Sequence, residues 1–350
     1  MKTIRVGLVG CGGIANGAHL PPLAKIEGVT IAALCDIDAE HLARTGDKYN
    51  VPQDRRFADY RDLIACADVD AVDICTPNNS HCPVAMAAVA AGKPFCVEKP
   101  VGIGTGEVEQ LVAATEATGI PAMVCFSYRF MPAVRYAHDL MQKQSIGDVI
   151  SVYAQYLKAS AFMKGRRLDW RFVSEIARYG VSGDLAVHII DMIAHLVGDF
   201  TAVTAQTGIA VKQRLRLDRD EYAPVDTDDY CNFLAELDNG ASATFGVSRS
   251  AIGNKNHISI DIYGSKGAIT FDLNKPSEIQ ICSDDGRGLD LPMETIQVPE
   301  RYKASQMQTW IDVLRGRAPS FAPTLRDGLK CQKILDALLA SVENRRWMAL

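Results

Sequence analysis

The 350-residue chain carries 48% hydrophobic and 23% charged residues and a formal net charge of -5. That length predicts two domains with sizeable cores, and the slight acidity argues against a general affinity for nucleic acid or anionic membrane. No apolar stretch is long enough to span a bilayer, Lys2 and Arg5 flank a strand-like segment rather than a signal peptide, and ten scattered cysteines without a C-x-x-C pair fit a reduced cytoplasmic setting.

The first 126 residues alternate short apolar runs with helical patterns. Ile4–Val9, Thr30–Cys35, Ala71–Cys75, Pro94–Val97 and Ala122–Phe126 read as strands. Ser80–Ala91 and Thr105–Thr118 read as helices, with Ser80 and Thr105 as N-caps and Gly92 and Gly119 as stops. This alternation predicts an α/β, doubly wound parallel sheet. Later, Val149–Leu157, Thr201–Val211, Tyr230–Leu237, Ala243–Ser248 and His257–Tyr263 follow as successive strands, and Ile258, Ile260 and Ile262 alternate with polar neighbours. That pattern predicts an α+β domain on a mostly antiparallel sheet with one buried face. Helical stretches at 306–314 and 325–342 close the chain. The expected boundary puts residues 1–127 in a dinucleotide-binding domain and 128–350 in a second domain, with closing helices at about 303–343.

Gly10-Cys11-Gly12-Gly13-Ile14-Ala15 is a G-x-G-x-x-A turn that follows a strand and opens a helix. Gly10 permits the tight turn, Gly12 lets backbone approach a pyrophosphate, and Ala15 allows close packing. The helix start at Gly13 and Ile14 offers N–H groups to the anion. Asp36 ends the second strand about 20 residues on, where a carboxylate accepts the adenosine ribose hydroxyls and repels a 2′-phosphate. The nearest arginine downstream is Arg44, so NAD is favoured over NADP. Asp36 as a helix cap is the competing explanation, although Asp38 can serve as the cap instead.

Cys75-Thr76-Pro77-Asn78-Asn79-Ser80-His81 and Glu98-Lys99-Pro100 end two further strands at the same carboxyl edge. Alone, Lys99 is a strand-end lysine escaping to solvent. Beside a nicotinamide its ammonium stabilises a developing alkoxide. Asp184 and His188 are spaced to share one helix face, and a histidine is a suitable base for a hydroxyl proton near neutral pH. Asp184, His188, Asp191 and His195 continue as a stripe spaced four, three and four apart. The stripe is readable as a polar seam or as a metal site; metal is discounted because Asp191 and His195 lie beyond the proposed pair. His81 lies near the nicotinamide loop, whereas His19 can equally be a helix-surface residue.

Taken together, Gly10–Ala15, Thr76-Pro77-Asn78, Glu98-Lys99-Pro100, Tyr128-Arg129-Phe130 and Ser182–Asp191 resemble the Gfo/Idh/MocA oxidoreductases, relatives of glucose–fructose oxidoreductase and inositol dehydrogenase. The resemblance covers nearly the whole chain, with Ala186 standing where members more often carry glycine. It implies a Rossmann domain followed by a domain with a large open sheet, often used for homodimer or homotetramer contacts. It also implies hydride transfer between a nicotinamide cofactor and a hydroxyl carbon of a sugar, anhydrosugar or cyclitol. On this reading Lys99, Asp184 and His188 are catalytic. Gly10, Gly12, Gly13, Ile14, Asp36, Thr76, Asn78, His81, Glu98, Lys99, Arg129, Trp170 and Arg171 are cofactor-binding, with no metal implied. A cis Lys99-Pro100 bond is common in such proteins. Arg129 and the Trp170-Arg171 pair carry an equally simple packing explanation. The alternatives are an NAD-dependent glycosidase that oxidises a sugar transiently, and a non-catalytic nucleotide sensor of the same fold.

Overall fold

The structure, a computed structural model, describes residues 3–283 and 291–350. The chain divides into two units, Met1–Cys125 with Ser305–Gln332, and Phe126–Ala304 with Lys333–Leu350.

The first unit holds six parallel strands: β1 (Ile4–Val9), β2 (Val29–Cys35), β3 (Arg56–Phe57), β4 (Ala71–Ile74), β5 (Phe95–Val97) and β6 (Ala122–Val124). Their order is β3-β2-β1-β4-β5-β6, and every pairing is parallel. Chain order reverses between β1 and β4, which makes the carboxyl end of β1 the place where an open sheet of this kind binds ligands. Val6, Leu8, Val72, Ile74, Phe95 and Val97 are all fully buried, as expected where helices cover both faces.

The connecting helices are α1 (Leu20–Leu23), α2 (Ala39–Lys48), α3 (Tyr60–Ala65), α4 (Asn78–Ala90) and α5 (Thr105–Thr118). Asp38 caps α2 by accepting the Glu40 and His41 N–H groups. Gly119 ends α5 at φ +67°, a conformation that favours glycine. The two expected N-caps are displaced. α4 starts two residues early behind Pro77, and the Ser80 hydroxyl donates to the Pro77 carbonyl at 2.8 Å from inside the first turn. At α5 the cap position is Gly104, one residue before Thr105.

A single boundary near residue 127 misplaces the segment 305–332. The helix Gln306–Leu314, capped by Ser305, returns to the first sheet. Met307, Trp310 and Ile311 join Val6, Leu23, Ala71, Cys96, Met123 and Cys125 in one buried cluster. Apolar burial of this kind, about 25 cal/mol per Å², outweighs chain continuity in deciding the domain. The closing helix is a single element, Leu325–Asn344, and the unit boundary falls within it.

The second unit is built on nine strands: β7 (Val149–Leu157), β8 (Phe200–Gly208), β11 (Tyr230–Leu237), β12 (Ser242–Ser248), β13 (His257–Gly264), β14 (Gly267–Asp272), β15 (Glu278–Ser283), β16 (Glu294–Gln297) and β17 (Met348–Ala349). A separate ribbon pairs β9 (Gln213–Leu215) with β10 (Tyr222–Pro224). The sheet order is β16-β15-β14-β13-β7-β12-β11-β8-β17, antiparallel except where β12 runs parallel to β7. Cys231, Phe233, Ala235 and Leu237 of β11 and Ile258, Ile260 and Ile262 of β13 point to the buried face. The helices α6 (Pro132–Gln142), α7 (Ser174–Ala177) and α8 (Val187–Leu196) belong to this unit, together with the end of the closing helix. Among the described residues, no helix is long and apolar enough to cross a membrane.

Candidate active site

In the first unit, the loops after β1, β2, β4 and β5 all open at one edge of the sheet, because the strands are parallel. Gly10 stands at φ +97°, and a Cβ there would lie 2.6 Å from the Cys75 carbonyl oxygen, so the turn requires glycine. At Gly12 and Gly13 a Cβ would meet nothing within 4 Å. These two glycines leave open space beside the backbone at the start of a helix, which fits a pyrophosphate. Asn16 pins the turn by donating to the Cys11 carbonyl at 2.9 Å.

Asp36 accepts the Cys11 N–H at 2.6 Å and the Asp38 N–H at 2.8 Å. A carboxylate has about four acceptor positions, so the ribose hydroxyls can still be held. The cap role belongs to Asp38. Ile37, next to Asp36 in the chain, is 95% exposed and offers an apolar surface suited to a flat adenine. At the β4 end, the Thr76 hydroxyl oxygen is buried with no hydrogen-bond partner among the described residues. Asn78 is buried at the first turn of α4. An open cradle, an anchoring carboxylate and an unsatisfied hydroxyl together fit a dinucleotide along this edge.

His81 lies against the loop after β4. It is buried, with Nδ1 2.7 Å from the Pro100 carbonyl and Nε2 2.8 Å from the Thr76 carbonyl. Each nitrogen faces a carbonyl, one of which accepts the single N–H of a neutral ring, and the ring packs between the loops after β4 and β5. Burial pulls its pKa below the usual histidine range. Glu98 is also turned inward. Its Oε1 faces His19 at 3.0 Å and its Oε2 accepts the Lys99 N–H at 3.3 Å, so a cofactor contact there falls to the backbone. Lys99 follows, half-buried, with a cis Lys99-Pro100 bond.

His19 is the residue that sequence patterning read least well. It is fully buried, not on a helix surface. Its Nδ1 lies 3.0 Å from both Asp73 carboxylate oxygens and its Nε2 3.0 Å from Glu98 Oε1. The β-strand position of Asp73 and the remoteness of the three residues in sequence gave no local signal.

In the second unit, Asp184 and His188 sit on a continuous helical stretch, a π-turn at Ser182–Ala186 running into α8. Such turns recur at functional sites. Asp228 anchors the turn, accepting the Gly180 N–H at 2.8 Å, the Ser182 N–H at 3.0 Å and the Ser182 hydroxyl at 3.0 Å. Burial raises the Asp228 pKa despite those donors. His188 is 7% exposed, and the Tyr128 ring meets it edge-on at 4.7 Å. The Tyr128 and Tyr156 hydroxyls are 2.8 Å apart, and Tyr156 donates to Asn256 at 3.1 Å. Burial pushes the Tyr156 phenol upward, reinforced by Tyr128 and by the Asp184 charge.

Arg171 stacks on the Trp170 ring at 4.2 Å and approaches Asp184 at 3.9 Å, which ties this pair to the carboxylate. Arg129 is only 4% exposed, and its guanidinium makes a two-point pair with Asp191. The stripe beyond His188 is thereby accounted for: Asp191 takes Arg129, and His195 stacks on His138 at 4.2 Å.

Comparison with known proteins bears on both units. Residues 4–126 match the description "Oxidoreductase family, NAD-binding Rossmann fold", and residues 134–270 match "GFO/IDH/MocA C-terminal domain". The chain is 29% identical to levoglucosan dehydrogenase of Pseudarthrobacter phenanthrenivorans, covering 99% of this chain and 98% of the relative. It is 26% identical to inositol 2-dehydrogenase of Rhizobium meliloti, covering 99% of each. A solved levoglucosan dehydrogenase in complex with NADH and L-sorbose has a TM-score of 0.89 at 28% identity, covering 100% of this chain and 99% of that one. An oxidoreductase domain protein from Kribbella flavida has a TM-score of 0.91 at 29% identity over the same shares.

Proposed function

The chain belongs to the Gfo/Idh/MocA family of NAD-dependent oxidoreductases, and from that premise we propose that it oxidises a secondary hydroxyl of a sugar, anhydrosugar or cyclitol. The observation that carries the reading is the order of groups along one sheet edge. Asp36 lies on the β2 side of the switch point, the Gly10–Ala15 turn at it, and Thr76 and Lys99 on the β4–β5 side. Adenosine at Asp36 and pyrophosphate at Gly12 leave the nicotinamide for the Thr76–Lys99 end.

Bound NAD supplies the hydride acceptor. The Lys99 ammonium lowers the cost of negative charge on the substrate oxygen. His188 takes the hydroxyl proton at a ring nitrogen, and Asp184 orients that ring or holds a neighbouring hydroxyl. Tyr128 packs against the His188 ring and fixes its plane. Arg129 and His81 are proposed as structural braces, and Trp170 and Arg171 as supports of Asp184. The open face of the nine-stranded sheet, where Tyr153, Leu234 and Tyr263 are exposed, is proposed as a homo-oligomer contact, and the cytoplasm as the working compartment.

The test incubates the purified chain with NAD and levoglucosan, myo-inositol, D-apiose or simple aldoses, following NADH absorbance and product release. NADH accumulation with one of these supports the dehydrogenase. Glycoside cleavage without NADH selects the glycosidase, and NADH binding without turnover selects the sensor.

A further inference from the structure

Behind the sheet edge lies a charged cluster to which the reaction assigns no task. His19 closes the π-turn Ala15–His19 that follows the glycine cradle, Asp73 stands on β4, and Glu98 directly follows β5. Both nitrogens of the His19 ring face carboxylate oxygens at 3.0 Å, so both donate and the ring is an imidazolium. The surroundings are otherwise thiols. Cys96 donates to Asp73 at 3.1 Å, Cys75 lies 3.3 Å from His19 Nδ1, and Cys125 offers its sulfur within the same group as His19 and Glu98. The cluster has no route to solvent through His19 or Asp73, which are both fully buried. A buried charge of this kind persists only when paired, and the pairing holds each partner in one geometry.

We propose that His19 is a positioning residue for Lys99: its ring bridges Asp73 and Glu98, and Glu98 in turn holds the Lys99 backbone amide. The relay fixes the strand end from which Lys99 projects, on the same helix turn that carries the phosphate cradle. Cofactor binding and lysine placement are thereby set by one rigid link. This inference rests on the proposed catalytic role of Lys99. A misplacement of about 1 Å in a reacting group costs about a hundredfold in rate, so the link is felt in turnover before it is felt in binding.

The test compares wild type with His19→Gln and Glu98→Gln, each checked for folding by circular dichroism. Gln is isosteric with Glu98, and at position 19 it reaches only one of the two carboxylates; either change removes the charge that faces its partner. Two readouts are taken: kcat and KM for NAD on the sugar that wild type oxidises, and the resonance of Lys99 after reductive methylation with 13C-formaldehyde, assigned by its loss in Lys99→Arg. The expected result is a kcat lower by about ten- to a hundredfold, a KM for NAD within about threefold, and a shifted Lys99 resonance. A folded variant with kcat within about twofold of wild type overturns the proposal. If His19→Gln does not fold, Glu98→Gln decides on the same readouts. If wild type oxidises none of the sugars, the dehydrogenase reading has failed separately. The resonance then decides: an unmoved Lys99 signal in a folded variant overturns the link, and a moved one supports it.

Discussion

The Asp36 carboxylate accepts the backbone N–H of Cys11 at 2.6 Å, so the proposed ribose anchor after β2 and the glycine turn after β1 are one braced unit. The same carboxylate is the proposed source of the preference for NAD over NADP. Asp36→Ala removes charge-assisted acceptors worth about 1.5–3 kcal/mol, a loss of about ten- to a hundredfold in NADH affinity. NADP affinity falls less or rises, because the repulsion of its 2′-phosphate goes too. Fluorescence titration with both reduced cofactors checks this, and a larger loss for NADPH contradicts the assignment.

Lys99→Met keeps length and apolar bulk while deleting the ammonium. Removing one such electrostatic stabiliser costs about a hundred- to a thousandfold in kcat. NADH affinity is expected to stay within about threefold, since the phosphate and ribose contacts lie on other loops. Steady-state kinetics together with NADH titration separates the two effects. Turnover that survives the substitution removes Lys99 from the chemistry.

The pH dependence of stability follows from His19. Burial alone lowers its pKa, but the Asp73 charge, Cys75 and the Asp73 hydrogen bond outweigh burial and hold it well above the usual value. A raised folded pKa means the stabilisation is complete below the unfolded value of about 6.5 and is lost as pH rises through the folded value. The buried thiols act later: burial pushes Cys11 and Cys35 up to about 12, so their contribution falls only above the unfolded thiol value of about 8.5. From neutral pH upward, wild type therefore loses stability that His19→Gln does not lose. Urea unfolding at neutral and at mildly alkaline pH measures the difference, and parallel slopes refute the imidazolium.

Arg129 and Asp191 share a nearly solvent-free two-point pair. Arg129→Met strands the carboxylate and is expected to cost about 3–5 kcal/mol. The double variant Arg129→Met/Asp191→Leu recovers most of that cost, because the stranded charge is gone. NADH affinity of the folded double variant stays within about threefold if Arg129 is a brace; a larger loss returns it to the cofactor.

Trp310 lies at the centre of the first unit's core cluster, far along the chain from β1. Trp310→Ala is expected to lower the unfolding free energy by about 3–5 kcal/mol and to weaken NADH binding through loss of folded unit, not of any contact. A stability change below about 1 kcal/mol would return 305–332 to the second unit.

The strand–helix alternation, the glycine turn with Asp36, and the Lys99, Asp184 and His188 side chains were legible in the order of residues. Each rests on local physics: periodicity of burial, the steric demand at Gly10, and a few chemically distinctive groups at strand or helix ends. What remained hidden depends on partners distant in sequence. His19 could equally be read as a helix-surface residue until Asp73 and Glu98 closed on its two nitrogens. The two carbonyls at the His81 ring and the Asp191 carboxylate in the Arg129 fork were likewise not readable from local sequence. Segment 305–332 joined the first unit because Met307, Trp310 and Ile311 find their apolar surface beside Val6 and Met123. Hydrogen-bond saturation and apolar burial are properties of a neighbourhood, and only the folded chain creates that neighbourhood.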